Sequence, residues 1–182
     1  GDYIGGVFGL HTTYVYYRAN IGTVTGSDTS NYVGGLAGYN DSNGVTFCYN
    51  VGTVSGGNYV GGLVGDSSLY HVVTDCYYLD TCGAGGYGIA KTEEQFNSGE
   101  VGYLLQENQF ENYWGQKIGV DRYPKAFGDK IYAVRNCNEE ILSYSNEQIE
   151  TPEHNYVNSY CTVWGMYKLP TLNADGFYEI SD

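Results

Sequence analysis

Apolar and polar positions along the first part of the chain fall into two blocks that keep returning. The first block is Tyr32-Val33-Gly34-Gly35-Leu36-Ala37-Gly38. It returns as Tyr59-Val60-Gly61-Gly62-Leu63-Val64-Gly65, and an earlier copy reads Tyr3-Ile4-Gly5-Gly6-Val7-Phe8-Gly9. The copies start at residues 3, 32 and 59, at steps of 29 and 27 residues. A fixed step of this size marks a stacked repeat. The second block runs Val45-Thr46-Phe47-Cys48-Tyr49-Asn50-Val51-Gly52-Thr53-Val54-Ser55-Gly56. Its first copy is Val15 to Gly26, and a third begins Val73-Thr74-Asp75-Cys76-Tyr77-Tyr78-Leu79 before drifting. Val15, Val45 and Val73 therefore align. Each block is short, β-prone and closed by Gly or polar residues, which predicts strand, turn, strand, turn in every repeat. One such unit cannot bury its own apolar face. Stacking copies buries a shared core and pairs each strand with its equivalent in the next layer. The Gly-Gly pair lets the chain turn sharply or lets layers approach closely. Ser27-Asp28-Thr29-Ser30-Asn31 and Asn40-Asp41-Ser42-Asn43-Gly44 have turn chemistry.

After residue 83 the period fades. Gly83-Ala84-Gly85-Gly86-Tyr87-Gly88 reads as a loose joint. Thr92-Glu93-Glu94-Gln95 has the form of a capping box, and its acids suit a helix N-terminus. Phe96, Val101, Leu104 and Leu105 fall at helical spacing, and Gly99 divides the run into two short helices. This pair is expected to cover the open end of the stack, where strand edges and core are exposed. A strand is predicted at Lys130-Ile131-Tyr132-Ala133-Val134. The expected division is therefore a β-repeat over 1–83, a helical connector with a terminal strand over 84–134, and a small β-rich unit over 135–182.

Composition narrows the functions. Of 182 residues, 42% are hydrophobic, enough for a core, but only 16% are charged. Polarity comes instead from residues such as Gly and Tyr, at 27 and 21 copies, a balance that favours strands and turns. The net charge of −13 repels phosphate backbones and anionic membrane surfaces, which argues against a nucleic-acid partner. No apolar run approaches a membrane span, so no membrane insertion is expected. Residues 1–91 carry 6 acidic and 2 basic groups, and residues 92–182 carry 15 and 6, a composition shift that marks a candidate module boundary near residue 91. Gly1 opens directly on the first repeat without a signal peptide, and both ends read as cuts through a longer polypeptide.

The block Gly34-Gly35-Leu36-Ala37-Gly38, its copy Gly61-Gly62-Leu63-Val64-Gly65, and the Cys-Tyr-Asn-x-Gly-Thr-Val run after the former resemble the GLUG repeat. That repeat occurs in large bacterial cell-surface and secreted proteins, including adhesin-like proteins and the non-catalytic part of immunoglobulin-A-cleaving metallopeptidases. The resemblance covers about residues 3–80. Its first copy departs from the pattern, with Phe8 in the leucine's place. It implies a short β-solenoid, of either hand; with the residues that follow, the expected fold is mainly β, this solenoid being followed by a small α+β cap and a small β-rich C-terminal unit. It also implies an extracellular setting, and it carries no catalytic residue. The run from Thr92 to Pro124 is similar to segments that follow such repeats and leucine-rich repeats in gut-type bacterial surface proteins. Related surface proteins also carry His-x-Tyr-x-Asn-Gly-x-Cys-x-x-Cys-Gly where this chain has His154 to Gly165, with Trp164 replacing the second cysteine. Three readings of Cys137, His154 and Cys161 stand: a zinc site, a zinc-ribbon-like fold that packs Trp164 in place of metal, and a Cys137–Cys161 disulfide.

A search for chemistry finds little. His11, His71 and His154 form no His-x-Glu or HExxH pattern, and no P-loop, dinucleotide fingerprint or Gly-x-Ser-x-Gly elbow is present. Asp28, Asp41 and Asp80 sit in turns, where turn formation is the simpler role than calcium. The abundant carboxylates read as solvated surface rather than a glycosidase pair. Cys48 and Cys76 occupy equivalent positions as small core residues or a bridged pair, and Cys82 aligns with Val54. Tyr16, Tyr17, Tyr49, Tyr77 and Tyr78 fall in equivalent blocks, as a sheet-stabilising ladder or a ligand platform. The expectation is a non-enzymatic module without a cofactor. It would serve as a spacer or bind a host glycan or surface protein beside neighbouring modules of its own polypeptide. The alternative is an accessory region of a secreted peptidase or glycosidase whose catalytic domain lies elsewhere. A third reading, a carbohydrate-active enzyme on the repeat face, needs two facing acids in a cleft.

Overall fold

The computed structural model describes residues 2–41, 44–68, 72–106, 111–136 and 138–149, and the backbone of three strands further on. The chain is mainly β, and among the described residues helix is confined to two short segments. The first copy of the repeat forms β1 (Tyr3–Gly5), β2 (Phe8–His11), β3 (Val15–Tyr16), β4 (Ala19–Asn20) and β5 (Val24–Thr25). The second forms β6 (Tyr32–Gly34), β7 (Ala37–Asn40), β8 (Gly44–Thr46), β9 (Tyr49–Asn50) and β10 (Val54–Ser55). The third forms β11 (Val60–Gly61), β12 (Val64–Ser67), β13 (Val72–Thr74) and β14 (Tyr77–Leu79), followed by β15 (Ile89–Lys91).

Equivalent strands pair in parallel, with the second copy between the first and third: β1-β6-β11, β2-β7-β12 and β3-β8-β13. A fourth ladder runs β4-β9-β14-β15, and β5 pairs with β10. Val15 pairs with Val45 and Val73 with Val45, as the sequence alignment predicts. Cys82 takes its expected place beside Val54, whose amide donates to the Cys82 carbonyl at 2.7 Å. One alignment is corrected. Phe8 pairs with Ala37, which leaves Val7, not Phe8, in the position of Leu36.

Each full copy holds five short strands rather than two. The Gly-Gly pair interrupts the first block, and a left-handed residue interrupts the second. Tyr17, Phe47 and Asp75 occupy this bend at φ 56°, 55° and 48°. The glycines answer to close packing. A Cβ on Gly34 would lie 2.0 Å from the Ala37 carbonyl oxygen, and one on Gly35 would lie 2.2 Å from the Gly62 carbonyl oxygen of the next layer and 2.4 Å from the Asn50 amide. Asn50 is fully buried there, and its amide donates to the Gly52 and Gly62 carbonyls. Asn20 in turn donates to the Asn50 side chain at 2.8 Å. The inward polar row is thus hydrogen-bonded, as buried amides must be.

The flank begins by extending the stack. Gly85 bridges to Gly61, and β15 adds a fourth strand beside β14. Helices α1 (Glu93–Asn97) and α2 (Glu100–Gln106) follow. The capping box forms as predicted, with Thr92 and Gln95 bonding reciprocally, and Gly99 at φ 93° separates the helices. Phe96, Val101, Leu105 and Trp114 join the core of the repeat. Tyr49 meets Phe96 and Trp114 at ring-centroid distances of 5.8 and 5.2 Å, and the Trp114 indole donates to the Phe47 carbonyl at 2.8 Å. β9 and β14 turn Tyr49 and Tyr77 toward this flank, and these large rings need cover. Strands β16 (Trp114–Gly115) and β17 (Lys125–Ala126) form one antiparallel pair. The predicted strand appears as β18 (Tyr132–Arg135), in a bulged hairpin with β19 (Ile141–Ser145). Three antiparallel strands lie beyond, β20 (Tyr156–Val157), β21 (Tyr160–Cys161) and β22 (Met166–Tyr167). No helix among the described residues is long and apolar enough to cross a membrane.

Candidate functional site

The bend at Tyr17 organises an aromatic groove where the first layer meets the flank. Its left-handed backbone brings the Tyr17 ring parallel to Phe47 of the next layer, at 5.6 Å and 5°. Tyr113, from the segment before β16, stacks on Tyr17 at 4.3 Å. Tyr16 stacks instead on Tyr14, at 5.8 Å and 11°. Phe8, Thr13, Tyr14, Tyr16, Arg18 and Tyr113 line a groove of about 440 Å³. Arg18 is fixed at its margin by donation to the Tyr16 and Tyr17 carbonyls, at 3.1 and 3.2 Å.

The groove's electrostatics are simple. Burial, then Tyr16 and Glu111, push the Tyr17 phenol above its ordinary value. A hydrogen bond to Glu111 does the same for Tyr113. Both therefore stay neutral hydroxyl donors at physiological pH. No carboxylate, imidazole or thiol is among the lining residues. Ring faces, phenol hydroxyls and one guanidinium can stack on and hydrogen-bond a polyhydroxylated or planar ligand.

Of the five tyrosines singled out in the sequence, only Tyr16 and Tyr17 reach this surface. Tyr49, Tyr77 and Tyr78 are buried, with Tyr49 hydrogen-bonded to the Pro124 carbonyl and its phenol raised by burial. They stabilise the core and offer no platform. An exposed ladder exists elsewhere. Tyr3, Tyr32 and Tyr59, the leading residues of the Gly-Gly blocks, stack at 5.2 and 5.1 Å. Their shared motif position was the available signal. Tyr3 and Tyr59 are exposed, and Tyr32 between them is half-buried. Tyr14 and Tyr113 carried no such signal, since Tyr113 reaches the groove only through the path of the flank.

Cys48 and Cys76 are stacked neighbours, as predicted, and both are free buried thiols. Burial pushes both up. At Cys48, donation from Cys76 and the Arg18 amide outweighs this and brings the thiol down, while Cys76 stays well above the usual range. Cys82 is also free and buried. Asp28 and Asp80 lie in turns, and Asp41 is exposed just after β7. No three acids, histidines or thiols among the described residues gather as metal ligands would. His11 is buried against Phe8. His71, Cys137 and His154 lie outside the described residues, and only the backbone of Cys161 is described, so the three readings of that cluster stand as stated. No protein family, curated protein or solved structure matches the chain.

Proposed function

We propose that this chain is a non-catalytic recognition module of a bacterial surface or secreted protein. It would be a short β-solenoid of GLUG-type repeats that holds a glycan in the groove of Tyr14, Tyr16 and Tyr113. The parallel, in-register ladders support the solenoid reading. The groove carries the binding reading, because it combines exposed tyrosine rings with neutral hydroxyl donors and a fixed guanidinium. Sugars offer apolar ring faces and many hydroxyls, which suit such a surface. The first layer also supports stacking of a neighbouring module, since its Ile21 is 72% exposed where the equivalent Val51 is 9% exposed.

A glycan-array screen of the purified chain tests the binding reading. The expected result is retention of a restricted set of glycans by the native chain and its loss in Tyr14→Ala and Tyr16→Ala. Both rings are exposed, so both variants should fold. Retention of nothing, or retention unchanged in both variants, would leave a spacer as the better account.

A further inference from the structure

The flank carries a second cleft of different chemistry. It has a volume of about 320 Å³, at the small end of the range for ligand sites. Tyr103 of α2, Lys130, Tyr132 and Arg135 of the β18 strand region, and Gln148 surround it over a floor that includes buried Ile131. The molecule is strongly acidic, with only 8 basic residues. Three of these cations are paired: Lys91 with Glu100, Arg122 with Glu93, and Lys125 with Asp121. Lys130 and Arg135 have no carboxylate partner among the described residues. Lys130 lies over the Tyr132 ring, 5.2 Å from its centroid. Arg135 donates to the Glu139 carbonyl at 2.7 Å and to the Tyr103 hydroxyl at 3.4 Å. These bonds orient the guanidinium without neutralising it. Two cations in one cleft, neither with a carboxylate partner among the described residues, suit an anion, because charge-assisted hydrogen bonds to carboxylates are among the strongest available.

The rest of the cleft narrows the ligand. Gln106 is already committed, donating to the Trp114 carbonyl and accepting from the Ile131 amide. The Tyr103 and Tyr132 hydroxyls and the Gln148 amide remain on the walls to meet neutral polar groups. The net charge of −13 opposes a multiply charged ligand more than a singly charged one. We propose that this cleft binds a small monocarboxylate bearing hydroxyl groups, of the uronic acid class, with its carboxylate between Lys130 and Arg135. This goes beyond the aromatic groove and does not depend on it.

Titration with D-glucuronate, followed by amide NMR shifts at Ala133 and Arg135, tests the site. D-glucose serves as the neutral twin and glucose 6-phosphate as the dianion. Saturable shifts are expected with glucuronate, at least tenfold weaker in Lys130→Gln and in Arg135→Gln, and weaker as salt rises. Tyr14→Ala should leave them unchanged, which separates this site from the glycan groove. Lys130 is exposed, so its variant keeps the test open even where Arg135→Gln disturbs the hairpin. No saturable shift with glucuronate, equal binding of glucose, tighter binding of glucose 6-phosphate, or indifference to Lys130→Gln would each overturn the proposal.

Discussion

The first and second layers of the repeat share a motif but not an environment. Val7 and Leu36 fill the same position, yet Val7 is 36% exposed and Leu36 is 1%. Ile21 and Val51 differ in the same direction, as do Asn20 and Asn50. The second layer is sandwiched between paired neighbours, and the first is paired on one side only. In a stack, a residue's contribution is therefore set by which layer it occupies as much as by what it is, because burial comes from the neighbouring rung.

The harshest way to break the inner layer is Gly34→Val. Its side chain would start 2.0 Å from the Ala37 carbonyl oxygen and 2.7 Å from the Gly65 amide, both backbone atoms. Backbone cannot swing aside as a side chain can, so the cost is expected to exceed about 3 kcal/mol, the upper end for overpacking. Circular dichroism should show loss of the cooperative unfolding transition. A well-folded Gly34→Val chain would mean that the layers have more room than the geometry gives them.

Truncating the matched pair sharpens the comparison. Leu36→Ala empties a filled site and should cost about 2–5 kcal/mol. Val7→Ala removes side-chain atoms already partly in water and should cost under about 1 kcal/mol. Urea denaturation midpoints measure both. Equal losses would show that the first layer is covered in solution.

The same contrast explains what the sequence could reveal. Its period predicted the parallel pairing, the alignment of Val15, Val45 and Val73, the stacked cysteines and the capping box at Thr92. Each depends on nearby or periodic residues. It did not predict that Tyr49 and Tyr77 face the flank, because alternation along a two-residue strand is too brief to assign a side. The left-handed bend at Tyr17 and Phe47 was also hidden, since neither carries the Gly or Asn that usually marks such a backbone. Tyr113 belongs to the groove through tertiary placement alone. Lys130 and Arg135 were visible as charges, but that neither has a carboxylate partner among the described residues became visible only in the structure, where Glu93, Glu100 and Asp121 are engaged elsewhere.

The smallest expected effect tests the open edge most directly. Ile21→Thr changes a side chain already 72% exposed, and a substitution in water should move stability by no more than about 0.5 kcal/mol. Val51→Thr places a hydroxyl at the equivalent, covered position, where an unpartnered polar group costs about 1–3 kcal/mol. The two substitutions put the same side chain into the same motif position, so propensity differs little between them. What differs is the rung above. Thermal unfolding of both variants should therefore separate them by more than about 1 kcal/mol, with Val51→Thr the weaker protein. Were Ile21→Thr to lose as much as Val51→Thr, the first layer's edge would have to be buried in solution. The strands from Tyr3 to Thr25 would then be an occupied interface rather than an available one.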